Sequence, residues 1–116
     1  MGNCSSQERG SAHDMDREDV PQVAEVEVLC FNMFVRPPFV NNNGDDYKDE
    51  RLAEFVKIMG NYDVICLQEM FGVYSRRREF LIEQAYELGF LFHAVSPKPG
   101  TFSSHYIDGG LLVLSR

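Results

Sequence analysis

Two strand-like runs in this chain end in polar side chains of the kind that hold a cation and a phosphate. The first closes on Asn32, and the run Asp63-Val64-Ile65-Cys66-Leu67 closes on Gln68-Glu69. In α/β sheets, ligands collect beyond the carboxyl ends of the strands, so these ends are the first place to look for chemistry. If the two strands are parallel neighbours, the amide and the carboxylate reach the same edge. A carboxylate there can hold Mg²⁺, a hard cation that takes one or two protein carboxylates and completes its shell with water and substrate oxygens. Such an ion polarises a phosphoryl oxygen and neutralises charge while water attacks, and Asn32 can donate a hydrogen bond without adding charge. Taken as a local pattern alone, Glu69 reads more readily as the first solvated residue after a strand.

The elements that must position these groups follow from hydrophobic period and breakers. Residues 24 to 32 alternate and then turn apolar, as a strand passing from edge to core would. Arg36-Pro37-Pro38-Phe39 and Asn41-Asn42-Asn43-Gly44 form a loop, because two prolines remove two backbone donors. Asp45 or Asp46 supplies an N-cap, and Leu52, Phe55, Val56 and Met59 then recur at helical spacing up to Gly60. A second strand covers 63 to 67, an apolar run suited to burial on both faces. A second helix is expected from Ser75 to Leu88, with Phe80, Leu81, Ala85 and Leu88 inward, Gly89 at its end, and Arg76, Arg77 and Arg78 as a solvated or lipid-facing start. Strands over 90 to 95 and 109 to 114 flank a long loop. The order strand, helix, strand, helix, strand, strand predicts an α/β fold with a largely parallel sheet and a hairpin-like last pair.

The chain has 116 residues and a formal charge of −7, enough for one domain and unfavourable for a phosphate backbone, so stable nucleic-acid binding is not expected from net charge. Cys4, Cys30 and Cys66 lack paired spacing, and the last two sit in apolar runs, which reads as reduced core thiols of a cytosolic protein. The start Met1-Gly2-Asn3-Cys4-Ser5-Ser6 fits myristoylation of Gly2, with Cys4 as a palmitoylation site beside it. Two acyl chains approach stable anchoring where one does not, which predicts a protein on the cytoplasmic face of a membrane. Residues 1–22 read as this acylated flexible tether, within which His13 stands alone, and residues 23–116 as the folded part.

Taken together, Leu29-Cys30-Phe31-Asn32-Met33, then Asp63 to Glu69, then Asp108-Gly109-Gly110-Leu111-Leu112-Val113-Leu114-Ser115-Arg116 resemble the endonuclease/exonuclease/phosphatase superfamily, the deoxyribonuclease-I-like fold. The Arg36-Pro37-Pro38 loop, Gly44-Asp45-Asp46-Tyr47 and Asp108-Gly109-Gly110 look most like its neutral sphingomyelinase branch. The resemblance implies that residues 23–116 are the amino-terminal half of a four-layer α/β/β/α sandwich. It also implies that Glu69 is the family's Mg²⁺-binding glutamate and Asn32 the catalytic-site asparagine of strand one. The implied function is a Mg²⁺-dependent phosphodiester hydrolase acting on a sphingomyelin-like substrate. Inositol-polyphosphate phosphatases and nucleases share the two metal-site blocks, and a non-catalytic, membrane-anchored interaction protein is the reading from another class. The family's catalytic histidines and remaining carboxylates belong to a carboxyl-terminal half missing from this chain. Neither His93, inside a strand, nor His105, in a polar loop, matches its histidine motif. The sheet face that the second half covers in the family should therefore be open here, and this chain alone should be inactive.

Overall fold

In the computed structural model, residues 25–40, 46–102, 104 and 108–116 are described. The acylation residues Gly2 and Cys4, the tether with His13, and the loop histidine His105 lie outside them. Six elements follow one another: β1 (Val28–Val35), α1 (Lys48–Met59), β2 (Val64–Met70), α2 (Arg77–Glu87), β3 (Phe92–Val95) and β4 (Leu112–Ser115).

The strands form one sheet in the order β1-β2-β4-β3. β1 and β2 are parallel, as the helical crossover between them requires. β4 runs antiparallel to both β2 and β3, so the largely parallel sheet expected from the element order is corrected to a mixed one with a single parallel pair. The last two strands do pair as neighbours. β4 nevertheless inserts between β2 and β3, a placement that local periodicity cannot encode, because it is decided by which strand edge the chain returns to.

Alternation divides the sheet into two faces. Ile65, Leu67, Leu112 and Leu114 point to one side and are fully buried, together with Leu52, Phe55 and Met59 of α1 and Leu81 and Ala85 of α2. Phe31 continues this face, its ring stacked 5.8 Å from Phe55. Both helices thus cover the same side, and the described residues make two layers, one of helices and one of sheet. On the other side Val28, Phe92 and Val113 are 56%, 66% and 38% exposed, so the apolar face expected to be open is open.

Several sequence expectations shift at this level. α1 begins without a side-chain cap; Tyr47 stands at its start in the left-handed region (φ 45°). Asp46 instead pairs with Lys48 at 3.0 Å and with Arg51 at 3.4 Å. Of the inward set in α2, Leu81 and Ala85 are buried, whereas Phe80 and Leu88 are exposed. The arginine run is not one solvated face either. Arg78 is buried on Asp108, and Arg77 reaches across to Asp49 of α1. Cys30 and Cys66 are register partners on the open face rather than core thiols, Cys30 exposed and Cys66 half-buried. Partial burial pushes the Cys66 thiol up, and the neighbouring Cys30 adds to the shift.

Candidate active site

Asn32 and Glu69 meet at the carboxyl edge of the parallel pair, where Asn32 Nδ2 donates to Glu69 Oε1 at 3.1 Å. A regular ladder would not do this. Asn32 is the register partner of Gln68, so Glu69, one residue on, would point to the opposite face. The register instead shifts between Asn32↔Gln68 and Val35↔Met70, with Met33 and Phe34 on β1 opposed by Glu69 alone on β2. This is a β-bulge, and both strands turn within it through the left-handed region, at Phe34 (φ 51°) and Glu69 (φ 53°). The turn swings the Glu69 carboxylate back beside Asn32 while Met70 returns to the buried face. Glu69 therefore lies inside β2 at an irregularity, which corrects the reading that it follows the strand.

The bulge is held by side chains that satisfy its displaced backbone groups. Asn32 Oδ1 accepts the Phe34 amide at 2.9 Å, so one side chain closes the turn and orients the carboxylate. From α1, Arg51 donates to the carbonyls of Met33 at 2.6 Å and Phe34 at 3.1 Å. On the β2 side the Met70 amide donates to the Gly110 carbonyl at 2.8 Å. Gly110 adopts φ 64°, and a Cβ there would stand 2.9 Å from the Phe71 ring, so the second glycine of Asp108-Gly109-Gly110 meets both a conformational and a steric requirement. Asp108 organises that turn from within. Its carboxylate accepts the amides of Gly110 at 2.8 Å and Gly72 at 3.0 Å, and the Arg78 guanidinium at 3.2 Å.

Arg36, from the loop after β1, completes the edge: its Nε donates to Glu69 Oε2 at 3.0 Å. Neither partner is deeply buried, the side chains being 35% and 31% exposed. Gln68 turns away, its amide donating to the Cys66 carbonyl at 3.4 Å. His93 lies on the exposed edge strand β3, paired in register with Leu114 and remote from Glu69 in the sheet order. Two open grooves of about 610 Å³ flank this edge without including Glu69. One runs along Phe31, Asn32, Phe55 and Ile58, the other between Pro38, Leu52, Tyr74 and Phe80.

Among the described residues no group of three or more His, Cys, Asp or Glu side chains converges as a cation cage. Glu69 stands as a single carboxylate, and each of its oxygens keeps lone-pair capacity beyond the one hydrogen bond it accepts. That donor set fits Mg²⁺, which uses few protein carboxylates, and does not fit a thiolate- or imidazole-preferring metal. The Asp108-Gly109-Gly110 turn and Arg36 are the contributors a reading by metal chemistry passes over. Their signal in the sequence is the glycine pair and the Arg-Pro-Pro triplet.

No protein-family model matches the sequence. Over 78 residues the chain is 41% identical to a curated sphingomyelinase from Dictyostelium discoideum, covering 66% of this chain and 17% of that protein. The chain thus spans less than a fifth of the relative it matches. Among solved structures, sphingomyelinase C from Streptomyces griseocarneus superposes with a TM-score of 0.58 at 22% identity, over 78% of this chain and 33% of that one. A β-hairpin deletion mutant of beta toxin from Staphylococcus aureus gives 0.52 at 17%, over 78% and 35%. At these identities the structural likeness carries the fold: the described residues form part of a deoxyribonuclease-I-like α/β fold. The sequence likeness is to a sphingomyelinase.

Proposed function

We propose that this chain is the amino-terminal part of a Mg²⁺-dependent phosphodiesterase of the sphingomyelinase type. The observation that carries the reading is the 3.1 Å hydrogen bond joining the Asn32 amide to the Glu69 carboxylate at the strand edge where ligands of such sheets collect. Likeness to a sphingomyelinase over most of the folded residues supports it. Glu69 would hold the Mg²⁺, which when bound polarises a phosphoryl oxygen and offsets developing negative charge. Asn32 keeps the carboxylate in one orientation, and the bulge keeps Asn32 and Glu69 on one side of the sheet. No cluster of three or more metal-ligating side chains forms among the described residues, so in this reading the 116-residue chain by itself is inactive, and the base and the further metal ligands come from the rest of the protein.

In the same reading Gly2 and Cys4 carry acyl chains that hold the site at the cytoplasmic face of a membrane, next to a lipid substrate. A protein containing the complete domain should hydrolyse sphingomyelin in vesicles with Mg²⁺ and stop when EDTA is added. Cleavage of phosphoinositides or of supercoiled DNA in place of sphingomyelin would move it to the phosphatases or nucleases of the fold. Activity that persists in EDTA would defeat the metal assignment.

A further inference from the structure

The cations around this edge are nearly all spent on the fold. Arg51 is used on the Met33 and Phe34 carbonyls, Arg77 on Asp49, and Arg78 on buried Asp108. Arg36 differs. Only its Nε is engaged, on Glu69 Oε2 at 3.0 Å, and both terminal amino groups are without a hydrogen-bond partner among the described residues. The Phe34 ring stands 5.9 Å from the guanidinium carbon and limits its motion on one side. Pro37 restricts the Arg36 backbone to extended conformations, so part of the ordering entropy is lost before any ligand arrives. A partly exposed ion pair of this kind contributes little to stability. What remains is a planar donor fork, fixed by its inner nitrogen and open at its outer end, beside the candidate metal carboxylate.

We propose that Arg36 is the phosphate-recognising residue of the site: Nε stays on Glu69 while the two terminal amino groups take two oxygens of a tetrahedral phosphate group. Guanidinium and phosphate match in this bidentate geometry, which an ammonium group cannot reproduce. The inference rests on the phosphodiesterase reading only for the source of the phosphate, a lipid headgroup. The fork itself would bind free phosphate as well.

The test uses the full-length protein. Inorganic phosphate and phosphocholine are titrated by calorimetry in EDTA, and sphingomyelin vesicles are assayed with Mg²⁺. Arg36→Gln should weaken binding of both small anions about tenfold or more, as loss of charge-assisted hydrogen bonds implies, and should raise KM more than it lowers kcat. Arg36→Lys keeps the charge, loses the fork and should fall between. Glu69→Gln in EDTA should bind phosphate at least as well as wild type, since a neighbouring negative charge that repels the anion is removed while the Gln amide oxygen can still accept from Nε. Wild-type protein that binds neither anion would overturn the assignment. So would Arg36→Gln binding within twofold of wild type, or losing only vesicle affinity, which would mean a membrane contact. Should Arg36→Gln melt early, Arg36→Lys decides by the same thresholds. If wild type binds phosphate through Arg36 but hydrolyses no phosphodiester, the parent reading fails and the phosphate site stands.

Discussion

Glu69 is held in a conformation that a glutamate adopts at a cost of about 1–2 kcal/mol, and with Phe34, Tyr47 and Tyr74 it makes up the non-glycine residues of positive φ among the described residues. Phe34 and Glu69 face each other across one bulge, so the strain is concentrated where the carboxylate is aimed. Glu69→Gln preserves the side chain's shape and its capacity to accept from Asn32 while removing the negative charge that the proposed Mg²⁺ site requires. Under the proposed function, the sphingomyelin-hydrolysis rate of a protein containing the complete domain should fall about 100-fold or more, as loss of several kcal/mol of charge stabilisation requires. The melting temperature should move little, because the Arg36 contact is partly solvated. Rate against Mg²⁺ concentration is the measurement, and an unaltered metal dependence would remove Glu69 from the site. That this residue is a candidate for chemistry came from the family resemblance, since its place at the end of an apolar run reads first as a solvated strand end. Which way it points was not legible, since strict alternation from Asn32↔Gln68 gives the wrong face and only the bulge corrects it.

At the scale of elements, the latch between α2 and the turn before β4 governs how well β2 ends. Arg78 and Asp108 are 3% and 0% exposed at the side chain, and Asp108 also holds the amides of Gly72 and Gly110. Replacing Asp108 by Ala leaves a buried guanidinium without its counter-ion, which typically costs about 3–5 kcal/mol. Denaturant unfolding should show a loss of that order, and the Arg78→Met/Asp108→Ala double variant should lose less than the two single losses added. α1 and α2 are also joined by Arg77, whose Nε meets Asp49 Oδ1 at 2.6 Å. The hydrogen bond from Arg77 holds the Asp49 carboxyl below its ordinary value. A depressed carboxyl pKa stabilises the fold above the unfolded value of about 3.9 and ceases to do so as pH falls through the folded value. The urea midpoint of wild type should therefore exceed that of Asp49→Asn near neutrality and converge with it in acid. Helix existence was legible in the 3.6-residue period, and Leu81 and Ala85 are inward as that period requires. The burial of Arg78 was not, because it depends on an acidic partner thirty residues away that no local pattern announces.

Across the whole molecule, the helices occupy one face of the sheet and leave Val28, Phe92 and Val113 open on the other. Among the described residues no helix is long and apolar enough to cross a membrane. The acylation reading makes a direct test possible. Gly2→Ala, which removes the myristoyl acceptor, should shift the protein from the membrane pellet to the supernatant on fractionation. Wild-type protein found wholly in the supernatant would defeat the anchor.

Composition and hydrophobic period determined by themselves that the chain alternates strands with helices and that Asn32 and Glu69 border apolar runs, although Gly109 and Gly110, read as the start of the last strand, precede it. These depend on neighbours within a few residues, where steric and hydrogen-bonding rules act directly. Tertiary structure decided the insertion of β4 between β2 and β3, the bulge that brings Glu69 beside Asn32, and the fixing of Arg36 on that carboxylate. Each of these depends on which distant strand edge pairs with which, and long-range register is set by the packing of the whole sheet against its helices rather than by any single segment.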